Sequence, residues 1–282
     1  MAESAAALRA RVATALVLAP LAIAAILTLP TLGLAAVLAG IVAFGALEWA
    51  RLGGLPAGWA QGGLVAYQAV LLAAGYWIAV HHPHWLLPAL GVFTGWWLAI
   101  GAVLALRRQP VVADPRRRPL LLAGAPLLTA AAWLALVLLH GAGPRGPALL
   151  LLLMLLIWGA DTAAYFSGRA FGRRKLAPAV SPGKTFEGLV GALLAAAACG
   201  LLLAGTGFAG RVDAVPAVAL CLVVALSSVS GDLFESYAKR LAGLKDSGRL
   251  LPGHGGVLDR IDSLIAAAPV FLFGWLTASG GA

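Results

Sequence analysis

The chain is 282 residues long, 61% hydrophobic and 11% charged, with a formal net charge of +9. Soluble globular proteins carry roughly 25% charged residues, so this composition excludes an ordinary soluble domain. It also makes nucleic acid a poor explanation of the positive charge, and no nucleic-acid partner is expected. Apolar runs of about 20 residues, the length that crosses a bilayer core, recur from end to end.

The first run, 12–29, follows Arg9 and Arg11 and has the outline of a secretory signal. The next run begins directly after Pro30 and no polar mature domain follows, so a retained first helix is expected. Further spans are predicted at 31–50, 64–80, 86–106, 120–140, 147–167, 185–206, 215–236 and 258–279, with Pro, Gly and charged residues between them. Backbone polar groups in lipid must be satisfied within a segment, and the alternation of a barrel strand is absent, so the fold class is all-α: a polytopic helical membrane bundle of about nine helices. Cys199 and Cys221 lie inside apolar runs and read as small core residues.

With nine spans the basic residues sort by side. The N-terminus and the loops near 51–63, 107–119, 168–184 and 237–257 hold nearly all of them, while Arg145 and Arg211 remain on the opposite face. The positive-inside rule makes the first face cytoplasmic. The acids sort along the chain instead: of eleven, eight lie at or after Asp161. Residues 1–282 therefore read as one membrane domain, with 1–140 as scaffold and lipid contact and 141–282 as the part that carries chemistry.

Four constellations stand out in that second part. Asp161, in Trp158-Gly159-Ala160-Asp161, is a carboxylate inside an apolar helix, where an ionisable group is costly and a functional candidate by default; a structural partner for an arginine is the alternative. Ser181-Pro182-Gly183-Lys184-Thr185 resembles the end of a P-loop, but Pro178 stands where that pattern requires glycine. Gly, Lys and Thr ahead of a helix still suit an anion. The basic group Arg169, Arg173, Arg174 and Lys175 upstream is ordinary positive-inside charge in part.

Next, Asp232 sits within an apolar helix, one or two turns before its expected cytoplasmic end. Ser236 shares its face, and Lys239 and Arg240 continue that face to water. An acid paired with a nearby lysine at the membrane edge is the plainer reading. Last come Lys245-Asp246-Ser247-Gly248, then Gly253-His254-Gly255-Gly256, then Asp259-Arg260-Ile261-Asp262. A glycine-rich loop lets backbone N–H groups approach an anion, although such loops also serve as connectors. Asp259 and Asp262 lie at i and i+3, and their hard oxygens, with Asp232, suit Mg²⁺ completed by phosphates; helix-dipole complementarity also places acids there. His81-His82-Pro83-His84 lies on the other face, away from every acid, and reads as an interfacial loop rather than a metal site.

The inventory of acids, cations and glycine backbone, without a nucleophile–base arrangement, fits phosphoryl or nucleotidyl transfer. The segments Ser236–Arg240, Lys245–Gly248 and Pro252–Ser263, with Ser181–Thr185 and Trp158–Asp161, closely resemble the signature of bacterial phosphatidate cytidylyltransferases, also called CDP-diacylglycerol synthases. One departure is Ala238, where the family has a larger apolar residue; a packing adjustment is expected there.

The resemblance implies the reaction of CTP with phosphatidate to CDP-diacylglycerol and pyrophosphate, with Mg²⁺, either alone or beside a second cation. Membrane lipids and a site at the cytoplasmic side of a bacterial inner membrane go with it. It assigns cation binding to Asp232 and Asp259, with Asp246 and Asp262 as weaker ligands. Phosphate contacts fall to Lys184, Lys239, Arg240, Lys245 and Arg260. Ser181, Thr185, Ser236 and the backbone of Gly253, His254, Gly255 and Gly256 would orient phosphates, and Asp161 would contact substrate. Another CTP-dependent lipid transferase or kinase is the nearest alternative; a transporter is the other class. Spacings such as Gly188–Gly191 are compatible with a homodimer but too common in this chain to locate its interface.

Overall fold

A computed structural model describes residues 5–206, 213–248 and 255–278, with side chains from residue 16 onward. Among the described residues there are nine α-helices: α1 (Ala5–Thr28), α2 (Thr31–Leu52), α3 (Trp59–His81), α4 (Leu86–Leu106), α5 (Arg118–His140), α6 (Gly146–Phe171), α7 (Phe186–Thr206), α8 (Ala214–Ala242) and α9 (Leu258–Ala278). Among the described residues, α2–α9 are each long and apolar enough to cross a membrane. The chain is a polytopic helical membrane protein.

Two departures from the sequence expectation matter. Residues 168–184 are not simply a loop: α6 runs on to Phe171, and β1 (Lys175–Ala177) pairs antiparallel with β2 (Ser181–Thr185), Lys175 opposite Thr185 and Ala177 opposite Ser181. The hairpin holds because Leu176, Ala177 and Val180 are buried; Ala177 and Val180 pack with Leu104 of α4 and Leu233 of α8. The second departure is the length of α8, which continues to Ala242 rather than stopping near 236. Asp232 therefore lies nearly three turns from that end, not one or two. Lys239 and Arg240 in the last turn are favourably placed for the helix dipole, and Gly243 ends the helix in the left-handed conformation at φ 74°.

The packing centres on α8 and α9, which lie against each other; α8 also meets α7 and α4, and α9 meets α5 and α4. α6 packs on α7, while α2 packs on α5 and α3. The α8–α9 crossing is close because Gly231 lies against the Asp262 carbonyl, leaving no room for a Cβ. Ala238, the departure from the family pattern, is fully buried. Polar ties also cross the interior of the bundle. The His140 ring bridges the Thr31 hydroxyl and the Ile26 carbonyl, each at 2.9 Å, and Thr129 donates to Gln68 at 2.8 Å. His81 ends α3 and a short 3₁₀ turn over Pro83–Trp85 follows; the His81 ring stacks on Trp77, His82 meets His84 edge-on, and His84 tilts against Trp85.

The basic loops gather at one end. The Asp114 N–H donates to the Leu241 carbonyl at 3.1 Å, and Arg118 donates to the Ala242 carbonyl at 3.3 Å. These bonds bring the α4–α5 connection onto the end of α8. Glu48 in α2 bonds the start of α9, and Lys184 before α7 reaches α8.

Candidate active site

Four elements converge below that end. On α8, Asp232, Glu235, Ser236 and Lys239 stand at i, i+3, i+4 and i+7, one stripe of the helix. α9 contributes Asp259 and Asp262, α6 contributes Asp161, and β2 delivers Lys184.

The inner part of the site is built on Lys184. Its ammonium lies 2.7 Å from the Asp232 carboxylate. Burial works against the charge on Lys184, but Asp232, then Asp161 and Asp262, outweigh it and raise its pKa above the ordinary lysine value. Carboxylates from three helices thus act on one cation, Asp232 by direct contact and Asp161 and Asp262 through their charge. Ser236 makes a long contact of 3.4 Å to the other oxygen of Asp232. One oxygen of Asp262 accepts from the Ser263 N–H at 2.7 Å.

The outer part is built on Lys239, which is 2.5 Å from Glu235 and 2.6 Å from Asp259. The second oxygen of Asp259 accepts from the Ser247 hydroxyl at 2.9 Å, the Ser247 N–H at 3.2 Å and the Gly256 N–H at 2.8 Å. Gly255 has φ 78°, and a Cβ there would press on the Asp259 carboxylate at 2.7 Å. The loop thus folds around Asp259, and the N–H of Gly256 is already used by a carboxylate rather than left for a phosphate. Gly253 and His254 lie outside the described residues.

Other predicted residues fall as follows. The Thr185 hydroxyl accepts from the Gly188 N–H at 3.1 Å and so caps α7. Ser181 is half-buried in β2. Arg240, Lys245, Asp246 and Arg260 are exposed, and none forms an ion pair within the described residues. Arg174 pairs with Glu187 at 3.3 Å, closing the hairpin onto α7.

The four acids expected to bind metal do not come together. Asp232 and Asp262 face Lys184, Asp259 faces Lys239 and the loop, and Asp246 points to solvent. Among the described residues no group of three or more His, Cys, Asp or Glu side chains is arranged to hold a metal ion. In chemical kind, the carboxylates whose fields meet at Lys184, those of Asp161, Asp232 and Asp262, are the hard oxygen donors that a divalent cation takes.

Sequence reasoning missed two members. Glu235 lies between Asp232 and Ser236, four residues before Lys239, and that helical spacing is a usable signal. Glu48 lies in the half read as scaffold. It is 3% exposed, and its carboxylate accepts from Ser247, Val257 and Leu258. Its position as a lone acid in an apolar span was its only sequence signal.

Acids and lysines drawn together, mostly half-buried, from α6, β2, α8 and α9 near the basic loops mark a membrane protein that handles phosphate-bearing substrates. The chain belongs to the cytidylyltransferase family, whose pattern it matches over residues 9–276. It is 43% identical over 264 residues to the phosphatidate cytidylyltransferase of Pseudomonas aeruginosa, covering 94% of this chain and 95% of that one. The phosphatidate cytidylyltransferase of Brucella suis biovar 1 is 51% identical over 146 residues, 51% of this chain and 53% of the relative. That of Haemophilus influenzae is 49% identical over 132 residues, 46% of each.

Proposed function

We propose that the chain transfers a cytidylyl group from CTP to phosphatidate, giving CDP-diacylglycerol and pyrophosphate. The likeness to the Pseudomonas aeruginosa relative over nearly the whole of both chains supports this substrate pair. The observation that carries the chemistry is a pair of neighbouring charge clusters at the basic end: Lys184 with Asp232 and the fields of Asp161 and Asp262, and Lys239 with Glu235 and Asp259.

The phosphatidate phosphate is anionic at neutral pH and serves as its own nucleophile. An oxygen of that phosphate bonds to the α-phosphorus of CTP, the bond to the β-phosphate oxygen breaks, and pyrophosphate leaves with the electron pair. No general base is needed, in keeping with a site of lysines and carboxylates. The obstacle is the meeting of two anions. Lys184 and Lys239 supply fixed positive charge in a partly desolvated setting, where it acts more strongly than in water. Their carboxylate partners hold each ammonium in place. Mg²⁺ would be held by Asp232 and Asp262, with Asp161 beside them, and would supply neutralisation of phosphate charge. Arg240, Lys245 and Arg260, exposed at the rim, would draw CTP toward the opening. The sorting of basic loops supports a site that faces the cytoplasmic side, and the bacterial relatives support an inner-membrane location.

Detergent-purified protein given labelled CTP, phosphatidate and Mg²⁺ should yield CDP-diacylglycerol and pyrophosphate in equal amounts. Release of CDP in place of pyrophosphate would instead identify a lipid kinase, and turnover without added phosphatidate would overturn the lipid assignment.

A further inference from the structure

The Glu48 carboxylate lies in a socket made by the segment that joins α8 to α9. One oxygen accepts from the Val257 N–H at 2.8 Å. The other accepts from the Leu258 N–H and the Ser247 hydroxyl, each at 2.8 Å. Gly248 and Gly256 form the walls: a Cβ at either would overlap the carboxylate. The side chain comes from α2, roughly 200 residues earlier in the chain. Val257 and Leu258 open α9, so a fixed negative charge sits at the N-terminus of that helix, where the helix dipole favours it. An anionic substrate group would otherwise be drawn to the same donors.

The Ser247 hydroxyl lies between two carboxylates, Glu48 at 2.8 Å and Asp259 at 2.9 Å; its one proton serves one of them at a time, while the Ser247 N–H donates to Asp259 at 3.2 Å. Glu48 and Asp259 thus grip one segment from two sides. Glu48 takes Val257, Leu258 and Ser247; Asp259 takes Gly256 and Ser247, and presents its remaining oxygen to Lys239 at 2.6 Å. A continuous set of hydrogen bonds runs from α2 to the Lys239 ammonium. Breaking its α2 end frees the connecting segment, including exposed Lys245 and Asp246, without removing any charge of the Lys184 or Lys239 clusters.

We propose that Glu48 is a positioning residue for the nucleotide: it clips Ser247 and Gly248 after α8, and 256–258 at the start of α9, to α2 and so fixes the part of the site that meets CTP. This rests on the proposed reaction. Losing such a clip disorders one wall of the site while the bundle stays folded, and misplacement of that order weakens substrate positioning rather than chemistry elsewhere.

The test is Glu48→Gln, which keeps the shape but turns one acceptor into a donor facing N–H groups. In hydrogen exchange, the peptide covering 243–258 should exchange about tenfold faster or more, since a hydrogen bond of about 1–1.5 kcal/mol corresponds to roughly that factor. The spans α5, α6 and α7 should keep their protection. The KM for CTP should rise about tenfold while the KM for phosphatidate stays within about twofold. Glu48→Asp, which keeps the charge on a shorter stem, should recover part of the CTP affinity. If Glu48→Gln fails to fold, Ser247→Ala removes one strand of the clip and should raise the KM for CTP about threefold. Native exchange in 243–258, or an unchanged KM for CTP in a folded variant, would overturn the proposal. Exchange does not depend on turnover, so a wild-type chain that makes no CDP-diacylglycerol refutes the reaction, and unchanged exchange refutes the clip.

Discussion

Replacing Lys184 by Met tests the inner cluster most directly. The change keeps most of the side-chain volume and removes the charge that faces Asp232 at 2.7 Å and the fields of Asp161 and Asp262. Two unit charges about 4 Å apart attract with about 4 kcal/mol at an effective dielectric constant of 20. Desolvation takes part of that back. The side chains are 24% and 34% exposed, so the pair lies between a surface ion pair and a buried one. A net loss of about 1–3 kcal/mol on Lys184→Met follows, read as a fall in melting temperature in detergent. Turnover should fall about 10²–10³-fold if Lys184 stabilises developing phosphate charge, as for loss of one preorganised donor. Adding Asp232→Asn should return part of the lost stability, because the uncompensated carboxylate is gone, with no return of activity. The raised pKa also fixes a sign. The ammonium's contribution to stability is fully present below the ordinary lysine value of about 10.4 and is lost as pH rises through the higher folded-state value. The stability gap between wild type and Lys184→Met should therefore stay constant from about pH 7 to pH 9 and shrink only above about pH 10.4. Simple additivity of the two substitutions, or a gap that closes already below pH 9, would refute this account of the cluster.

Lys239→Met leaves Glu235 and Asp259, with side chains 4% and 10% exposed, without their shared cation. It should cost about 3–5 kcal/mol, and Glu235→Gln in the same chain should recover folded yield in detergent extracts. Gly231→Ala forces a Cβ against the Asp262 carbonyl at the α8–α9 crossing, and should cost about 1–3 kcal/mol and most of the turnover. Gly200→Ala makes the matching control, since a Cβ there meets the Val218 Cα at 2.6 Å on the α7–α8 crossing, away from the lysines. Its melting temperature should fall comparably while activity per folded molecule is kept. Chelation of divalent cations should abolish turnover and added Mg²⁺ restore it; undiminished turnover in excess chelator would remove the cation from the mechanism.

Much of this protein is legible in one dimension. The eight spans α2–α9 and their order follow from apolar runs, because a bilayer imposes one length on every crossing segment. Asp161, Asp232, Lys239, Asp259 and Asp262 stand out because a charge in such a run needs a reason. The hairpin at 175–185 is harder to foresee: its strands are three and five residues long, and its stability comes from burying Ala177 and Val180 against α4 and α8.

How the charges divide is a tertiary matter. By spacing alone, Asp232, Asp259 and Asp262 form one set of acids on a hairpin. The crossing at Gly231 and the reach of the β2 segment instead sort them into two groups, one around Lys184 and one around Lys239. Local sequence encodes which residues are charged and which face of a helix they occupy. It does not encode which distant cation shares their space, and a carboxylate buried beside a cation is set by that neighbour. Glu48 makes the same point across the longest separation: an isolated acid in an apolar helix whose partners, Ser247, Val257 and Leu258, become its neighbours only when α2 packs beside the start of α9.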